Sequence, residues 1–150
     1  MAVKPIPEGR HRVTPYLIVE GVPELLEFMK NVFDAEETHC SKLPDGTVVH
    51  AEVTIGDSAI MMGTARDEWQ PMPGSIYLYT EDCDATYQRA LAAGAKSLME
   101  PADQFYGERY GGVEDASGNH WWLVTQIEEV SPEEMARREA EYIKQRAAEG

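Results

Sequence analysis

The 150-residue sequence predicts an α+β fold. Two copies of one strand–helix–strand–strand–strand module follow each other, with a helix at the C-terminus. Three observations predict it. Pro15-Tyr-Leu-Ile-Val-Glu20 lines up with Ile76-Tyr-Leu-Tyr-Thr-Glu81, and a helical signal follows each stretch. Ile55-Gly-Asp57 and Ser117-Gly-Asn119 then precede matching strands. Between them, Thr47 to Ile55 alternates apolar and polar residues as a half-buried strand does. Self-similarity at this spacing sets the fold before any single element is judged.

The elements follow in order. Residues 1–10 hold two prolines and no periodicity, and read as a loose arm. Val13 to Val19 is a first strand. Pro23 suits the first turn of a helix, and Val22, Leu25, Leu26, Met29, Val32 and Phe33 fall on one face of it. Asp34-Ala35 ends that helix. Thr38 to Lys42 is a short strand, and Pro44-Asp45-Gly46 is a turn. Within Thr47–Ile55 one face carries Val49, Ala51, Val53 and Ile55. The other carries Val48, His50, Glu52 and Thr54. Gly56-Asp57 turns the chain into Ser58 to Met62. Residues 64–74, polar with two prolines and Trp69, read as a linker. The second module then has a strand from Ser75 to Thr80, a helix from Asp82 to Ala93 closed by Gly94, and a strand from Lys96 to Met99. An aromatic, glycine-rich stretch (104–112) and a strand from His120 to Thr125 complete it. Ser131-Pro-Glu-Glu134 is a capping box, and it opens a helix over about 132–148.

Composition limits the partners. There are 27 acidic and 13 basic side chains, a net charge of −14. Such a surface repels phosphate backbones and anionic headgroups, so no nucleic-acid or membrane partner is expected. No apolar run reaches the length of a spanning helix, and the N-terminus has no signal-peptide core. Cys40 and Cys83 form no Cys-x-x-Cys pair. They read as reduced packing residues of a cytoplasmic protein. No Gly-x-Ser-x-Gly, phosphate loop or Cys–His nucleophile is present.

Five segments carry a resemblance: 13–19 (Val-Thr-Pro-Tyr-Leu-Ile-Val), 49–58 (Val-His-Ala-Glu-Val-Thr-Ile-Gly-Asp-Ser), 106–115 (Tyr-Gly-Glu-Arg-Tyr-Gly-Gly-Val-Glu-Asp), 118–122 (Gly-Asn-His-Trp-Trp) and 130–134 (Val-Ser-Pro-Glu-Glu). With the element order, they make the sequence similar to the vicinal oxygen chelate superfamily of glyoxalases, bleomycin-resistance proteins and dioxygenases. Within it, the sequence resembles the PhnB-like group. The resemblance implies one glyoxalase/bleomycin-resistance-like domain over 1–150, with module 1 at about 10–63 and module 2 at about 75–126. It implies paired βαβββ modules whose mixed sheet curls around a cavity, helices outside, and a homodimer. Val49, Ala51, Val53 and Ile55 would then face a helix, and His50, Glu52 and Thr54 the cavity.

Metal-dependent members hold a divalent ion with His, Gln or Glu from the first and last strands of each module. Those positions fall here on Thr14, Ser75 and Trp122, and on Ile60 or, with a one-residue slip, Met61. None is a good ligand, so no metal cofactor is expected. His50, Glu52 and His120, if they share a cavity, could make an unorthodox divalent site instead. The group has Asp-Pro-Phe-Gly-His where this chain has Asp115-Ala-Ser-Gly-Asn119, which removes a histidine.

The expected ligand-binding residues are Tyr16, His50, Glu52, Trp69, Tyr77, Tyr79, His120 and Trp122. An aromatic lining suits a flat organic ligand, and Trp69, in the stretch that crosses the cavity mouth in relatives, could act as its lid. Arg109 could receive an anionic or carbonyl substrate, or clamp Asp115 or Glu114. Of the adjacent tryptophans, Trp121 and Trp122, one must be core. The final helix reads as a docking or dimer-edge helix. Three functions fit. The first is a metal-independent small-molecule binding protein, in concrete form one that sequesters a drug, with the acidic field favouring a cation. The second is a glyoxalase-like lyase or isomerase with His50 or Glu52 as base and Arg109 or His120 at the oxyanion. The third is a metal-dependent lyase or dioxygenase with shifted ligands.

Overall fold

The computed structural model describes residues 2–150. It contains two four-stranded mixed sheets and three helices, and neither sheet closes into a barrel. The chain divides into two compact units. One spans residues up to Gly74 and includes 115–119; the other comprises 75–114 and 120–150.

In the first unit the strands are β1 (Tyr16–Val19), β2 (Glu36–Lys42), β3 (Val48–Ile55) and β4 (Ser58–Thr64), with helix α1 (Val22–Phe33) between β1 and β2. Their order is β1-β4-β3-β2, with β1 parallel to β4 and the other pairs antiparallel. Pro23 sits in the first turn of α1, and Asp34 ends the helix in the left-handed region at φ 55°. All six apolar residues of the predicted helix face are buried. They pack the side of the sheet that carries Leu17, Val19, Ala51, Val53, Ile60 and Met62. Burying each large side chain contributes roughly 1.5–3 kcal/mol.

The second unit repeats the pattern with β5 (Ser75–Tyr79), α2 (Cys83–Ala92), β6 (Lys96–Asp103), β7 (Glu108–Glu114) and β8 (His120–Gln126), ordered β5-β8-β7-β6. Asp82 caps α2 by accepting from the Ala85 N–H. Cys83, Thr86, Tyr87 and Ala90 are buried on α2, and Val113, Trp121 and Leu123 on the sheet. Burial pushes the Cys83 thiol up, which suits packing rather than reactivity. β6 runs four residues past the predicted Met99, with register shifts on the way. As an edge strand it tolerates Pro101. Helix α3 (Pro132–Glu149) is capped by Ser131 and buries no side chain. Arg138 ties it to the Phe105 carbonyl and Glu128, and the Tyr142 ring stacks on Phe105.

One sequence expectation is corrected. Val49 does not face α1. Ser41 pairs with His50 and Lys42 with Val48, so a β-bulge skips Val49. Val48 takes the buried position at 2% exposure, and Val49 lies at 40% on the side of the sheet away from the helix. The 64–74 linker is held against the first sheet. Ala65 N–H donates to Val19 and Met72 N–H to Ile18, so both ends of the segment are pinned to β1.

Asn119 is fully buried. Its side-chain amide donates to Asp115, and its carbonyl oxygen accepts from the Gly74 N–H. The turn residues are thus fixed by side-chain hydrogen bonds without a proline.

Candidate functional site

Each sheet buries one side against its helix and leaves the other open. The expected site residues lie on these open sides, apart from Trp69 on the 65–72 segment and Arg109.

On the first unit, Tyr16 and Ile18 project from β1, Met61 and the bare Gly63 from β4, and His50 and Glu52 from β3. The Tyr16 hydroxyl lies 3.2 Å from His50 Nδ1, and the His50 ring packs near His39. Glu52 is already engaged. Arg10 Nη1 sits 3.0 Å from its carboxylate, and the Thr38 hydroxyl donates to it weakly. A cleft of about 280 Å³ is lined by Tyr16, Ile18, Val49, Gly63, Thr64, Arg66 and Trp69. Trp69 is 57% exposed at its rim.

On the second unit, five rings form a row. Tyr79 meets Tyr77 edge to face at 5.6 Å, Tyr77 meets Tyr110 at 6.0 Å, and Tyr110 meets Trp122 at 6.1 Å. His120 follows at 6.2 Å from Trp122. A carboxylate stands at each end. Glu108 accepts from the hydroxyls of both Tyr77 and Tyr79 at 2.6 Å. Glu114 lies 3.0 Å from His120 Nε2. Burial and the bond to Glu108 push the Tyr77 phenol up, and the bond to Glu108 does the same for Tyr79. Burial and the Tyr110 contact push Tyr106 up to about 12. These phenols are therefore neutral donors at physiological pH. Gly112 makes room for the row, because a Cβ there would lie 2.3 Å from the Trp122 ring. Trp121 is the core tryptophan and Trp122 the open-face one.

Arg109 is placed elsewhere. It alternates to the helix-covered side of β7, where its guanidinium grips Asp84 of α2 through two bonds of 2.8 and 3.1 Å and Asp103 of β6 at 3.0 Å. Neither Asp115 nor Glu114 is its partner. Sequence reasoning also missed Glu108, Tyr110 and Arg66. The first two lie in 104–112, where glycines mask the strand signal, and the third lies in the 64–74 linker.

The positions of the family's metal ligands do not fit a metal here. In the second unit the Trp122 indole N–H donates to Ser75 Oγ at 2.9 Å, so the two positions satisfy each other. In the first unit Ile60 is buried and Met61 takes the open side, which settles the register. Met61 shares with Thr14 a cleft of about 440 Å³ flanked by Arg10 and Arg12, whose charge opposes a cation. His50 and Glu52 lie on the first unit and His120 on the second, and each has a partner on its own unit. Among the described residues no group of three or more His, Cys, Asp or Glu could hold a metal ion.

Comparison with known proteins agrees with this architecture. Residues 10–123 match the model of the Glyoxalase/Bleomycin resistance protein/Dioxygenase superfamily. The uncharacterized protein Mb0911c of Mycobacterium bovis is 33% identical, over 82% of this chain and 88% of its own length. Among solved structures, TioX from Micromonospora sp. ML1 superposes with a TM-score of 0.67 at 19% identity, covering 78% of this chain and 99% of that one. A PhnB protein from Bacillus cereus gives 0.63 at 24% identity, covering 77% and 99%. The chain belongs to the glyoxalase/bleomycin-resistance/dioxygenase superfamily. Among the described residues no helix is long and apolar enough to cross a membrane.

Proposed function

We propose that this chain is a metal-independent small-molecule binding protein that takes a planar aromatic cation on the open face of its second unit. The carrying observation is the row Tyr79–Tyr77–Tyr110–Trp122, with Glu108 and Glu114 at its ends. Aromatic faces attract cations and stack on flat rings. A carboxylate on the same face adds Coulomb attraction, and the net charge of −14 steers a cation toward it. No lysine or arginine stands in the row to oppose it, and His120 at its end faces Glu114. Drug sequestration by a cytoplasmic homodimer, with the two modules acting as one domain, is the biological form of this reading. The lyase reading is weaker. Glu52 is neutralised by Arg10, and Arg109 is consumed on the covered side of its sheet.

The test is a congeneric titration followed by calorimetry. (2-Naphthylmethyl)trimethylammonium is compared with neutral 2-methoxynaphthalene. The cation is expected to bind at least about tenfold tighter, and Glu108→Gln to remove most of that preference, a difference of about 1.4 kcal/mol. Equal affinity for cation and neutral ring, or unchanged preference in the variant, would sink the reading.

A further inference from the structure

The first unit carries a cleft whose chemistry is the reverse. We infer that this cleft is a separate binding site for an aromatic carboxylate, with Arg66 as the anion anchor and Tyr16 and Trp69 as the walls. This does not rest on the function proposed for the second unit.

Four observations support it. The cleft is enclosed by two aromatic residues, and Ile18 and Val49 add apolar lining. Val49 reaches it only because the bulge in β3 moves it off the helix side. Gly63 keeps it open, since a Cβ there would lie 2.8 Å from the Tyr16 hydroxyl and 3.0 Å from the Val49 carbonyl. Arg66 is the one charged residue lining it, and among the described residues its guanidinium makes no ion pair or side-chain hydrogen bond. Asp67 and Glu68 follow it in sequence, yet neither takes it up. In a chain with twice as many acids as bases, an unclaimed arginine beside an apolar cleft is a donor fork without a ligand.

The backbone that carries the anchor is also preorganised. Arg66 and Trp69 exchange backbone hydrogen bonds, N–H of Arg66 to the Trp69 carbonyl at 2.8 Å and the reverse. Asp67 adopts φ 27° to close the turn, and the Gln70 amide donates to the Asp67 carbonyl. The bonds Ala65–Val19 and Met72–Ile18 pin the segment on both sides. Holding the charged and aromatic residues at one end of a fixed turn lowers the ordering cost of binding. The volume, about 280 Å³, lies at the small end for organic ligands and suits one or two fused rings.

The probe is 2-naphthoate, titrated calorimetrically and by tryptophan quenching, with 2-methoxynaphthalene as the uncharged control. The wild-type chain is expected to bind naphthoate in preference to the control. Arg66→Gln should weaken naphthoate about tenfold and leave the control unchanged. Arg66→Lys should fall between, because a point charge replaces a planar fork. Trp69→Phe should remove most of the quenching. Arg66 and Trp69 are exposed, so folding is not at stake, and circular dichroism checks it. Glu108→Gln should leave naphthoate untouched, which separates failure here from failure of the second-unit reading. No naphthoate binding by the wild type, or the same affinity in Arg66→Gln, would overturn the inference.

Discussion

The two units share one strand order and one helix placement, yet their open faces carry opposite chemistry. In the first, Glu52 is cancelled by Arg10 and Arg66 is left unclaimed beside a cleft. In the second, Arg109 is claimed twice on the covered side, and Glu108 and Glu114 stand among rings. The backbone frame does not set the ligand; the side chains on alternate positions of a few strands do. The same lesson holds for arginine. A residue type predicts a role only when its side of the strand and its partners are known.

The sharpest way to break the comparison is through the two glycines that keep the faces open. Gly112→Ala drives a Cβ into the Trp122 ring. It should lower stability by roughly 1–3 kcal/mol, the usual cost of overpacking, and abolish binding of the naphthyl cation. Chemical denaturation and calorimetry read both. Gly63→Ala meets the flexible end of Tyr16 as well as a carbonyl. It should cost less stability and remove naphthoate binding alone. Loss of both ligands in either variant would mean that the faces do not act separately.

Much of this frame was legible in the sequence. The repeat of Pro15–Glu20 at Ile76–Glu81 gave the two modules, and the six apolar residues of α1 are all buried as periodicity required. What periodicity could not show was the bulge at Val49, because an extra residue reverses the alternation without changing composition. Glu108 and Tyr110 escaped for a related reason. Glycines at 111 and 112 weaken a strand signal, although here Gly112 serves Trp122. Arg66 lies in the linker, where the polar, proline-bearing sequence carries no sign of the backbone bonds to β1 that order it. Arg109 was misplaced because its true partners, Asp84 and Asp103, are distant in sequence and only the sheet alternation brings them to its side.

A second, smaller effect sharpens the contrast through pH. Burial and then the bond to Glu108 raise Tyr77, and the bond to Glu108 and then burial raise Tyr79, so both phenols titrate above the ordinary tyrosine value of 10.0. The folded state then binds those protons more tightly than the unfolded chain. That stability is complete below pH 10 and is lost as the pH climbs through the raised folded values. Melting temperature should therefore fall on going from pH 9 to pH 12, and Glu108→Gln should flatten the fall by removing the negative charge. Phenolate absorbance should show at least two tyrosines titrating earlier in the variant. An unchanged alkaline profile would mean that Glu108 does not govern these phenols, and the aromatic row would lose its charged end.

The smallest effect belongs to Arg109, and its smallness is the point. The guanidinium is a third exposed and its carboxylate partners more so. Solvent screens such pairs, and they add little to stability even when the geometry is good. Asp84 does hold Arg109 in its charged form and is itself held below the usual carboxylate range. Yet both groups lie on the helix side of β7, opposite Glu108 and Tyr110. Arg109→Gln should thus lower the melting temperature only slightly, and should leave both the naphthyl cation and naphthoate binding as the wild type does. Arg66→Gln, the same chemical change in the other unit, should do the opposite: no loss of stability and about tenfold weaker binding of one ligand. Should Arg109→Gln weaken either ligand while circular dichroism shows an intact fold, the covered side of the second sheet would have to communicate with a binding face. The assignment of one arginine to bracing and the other to binding would then fail.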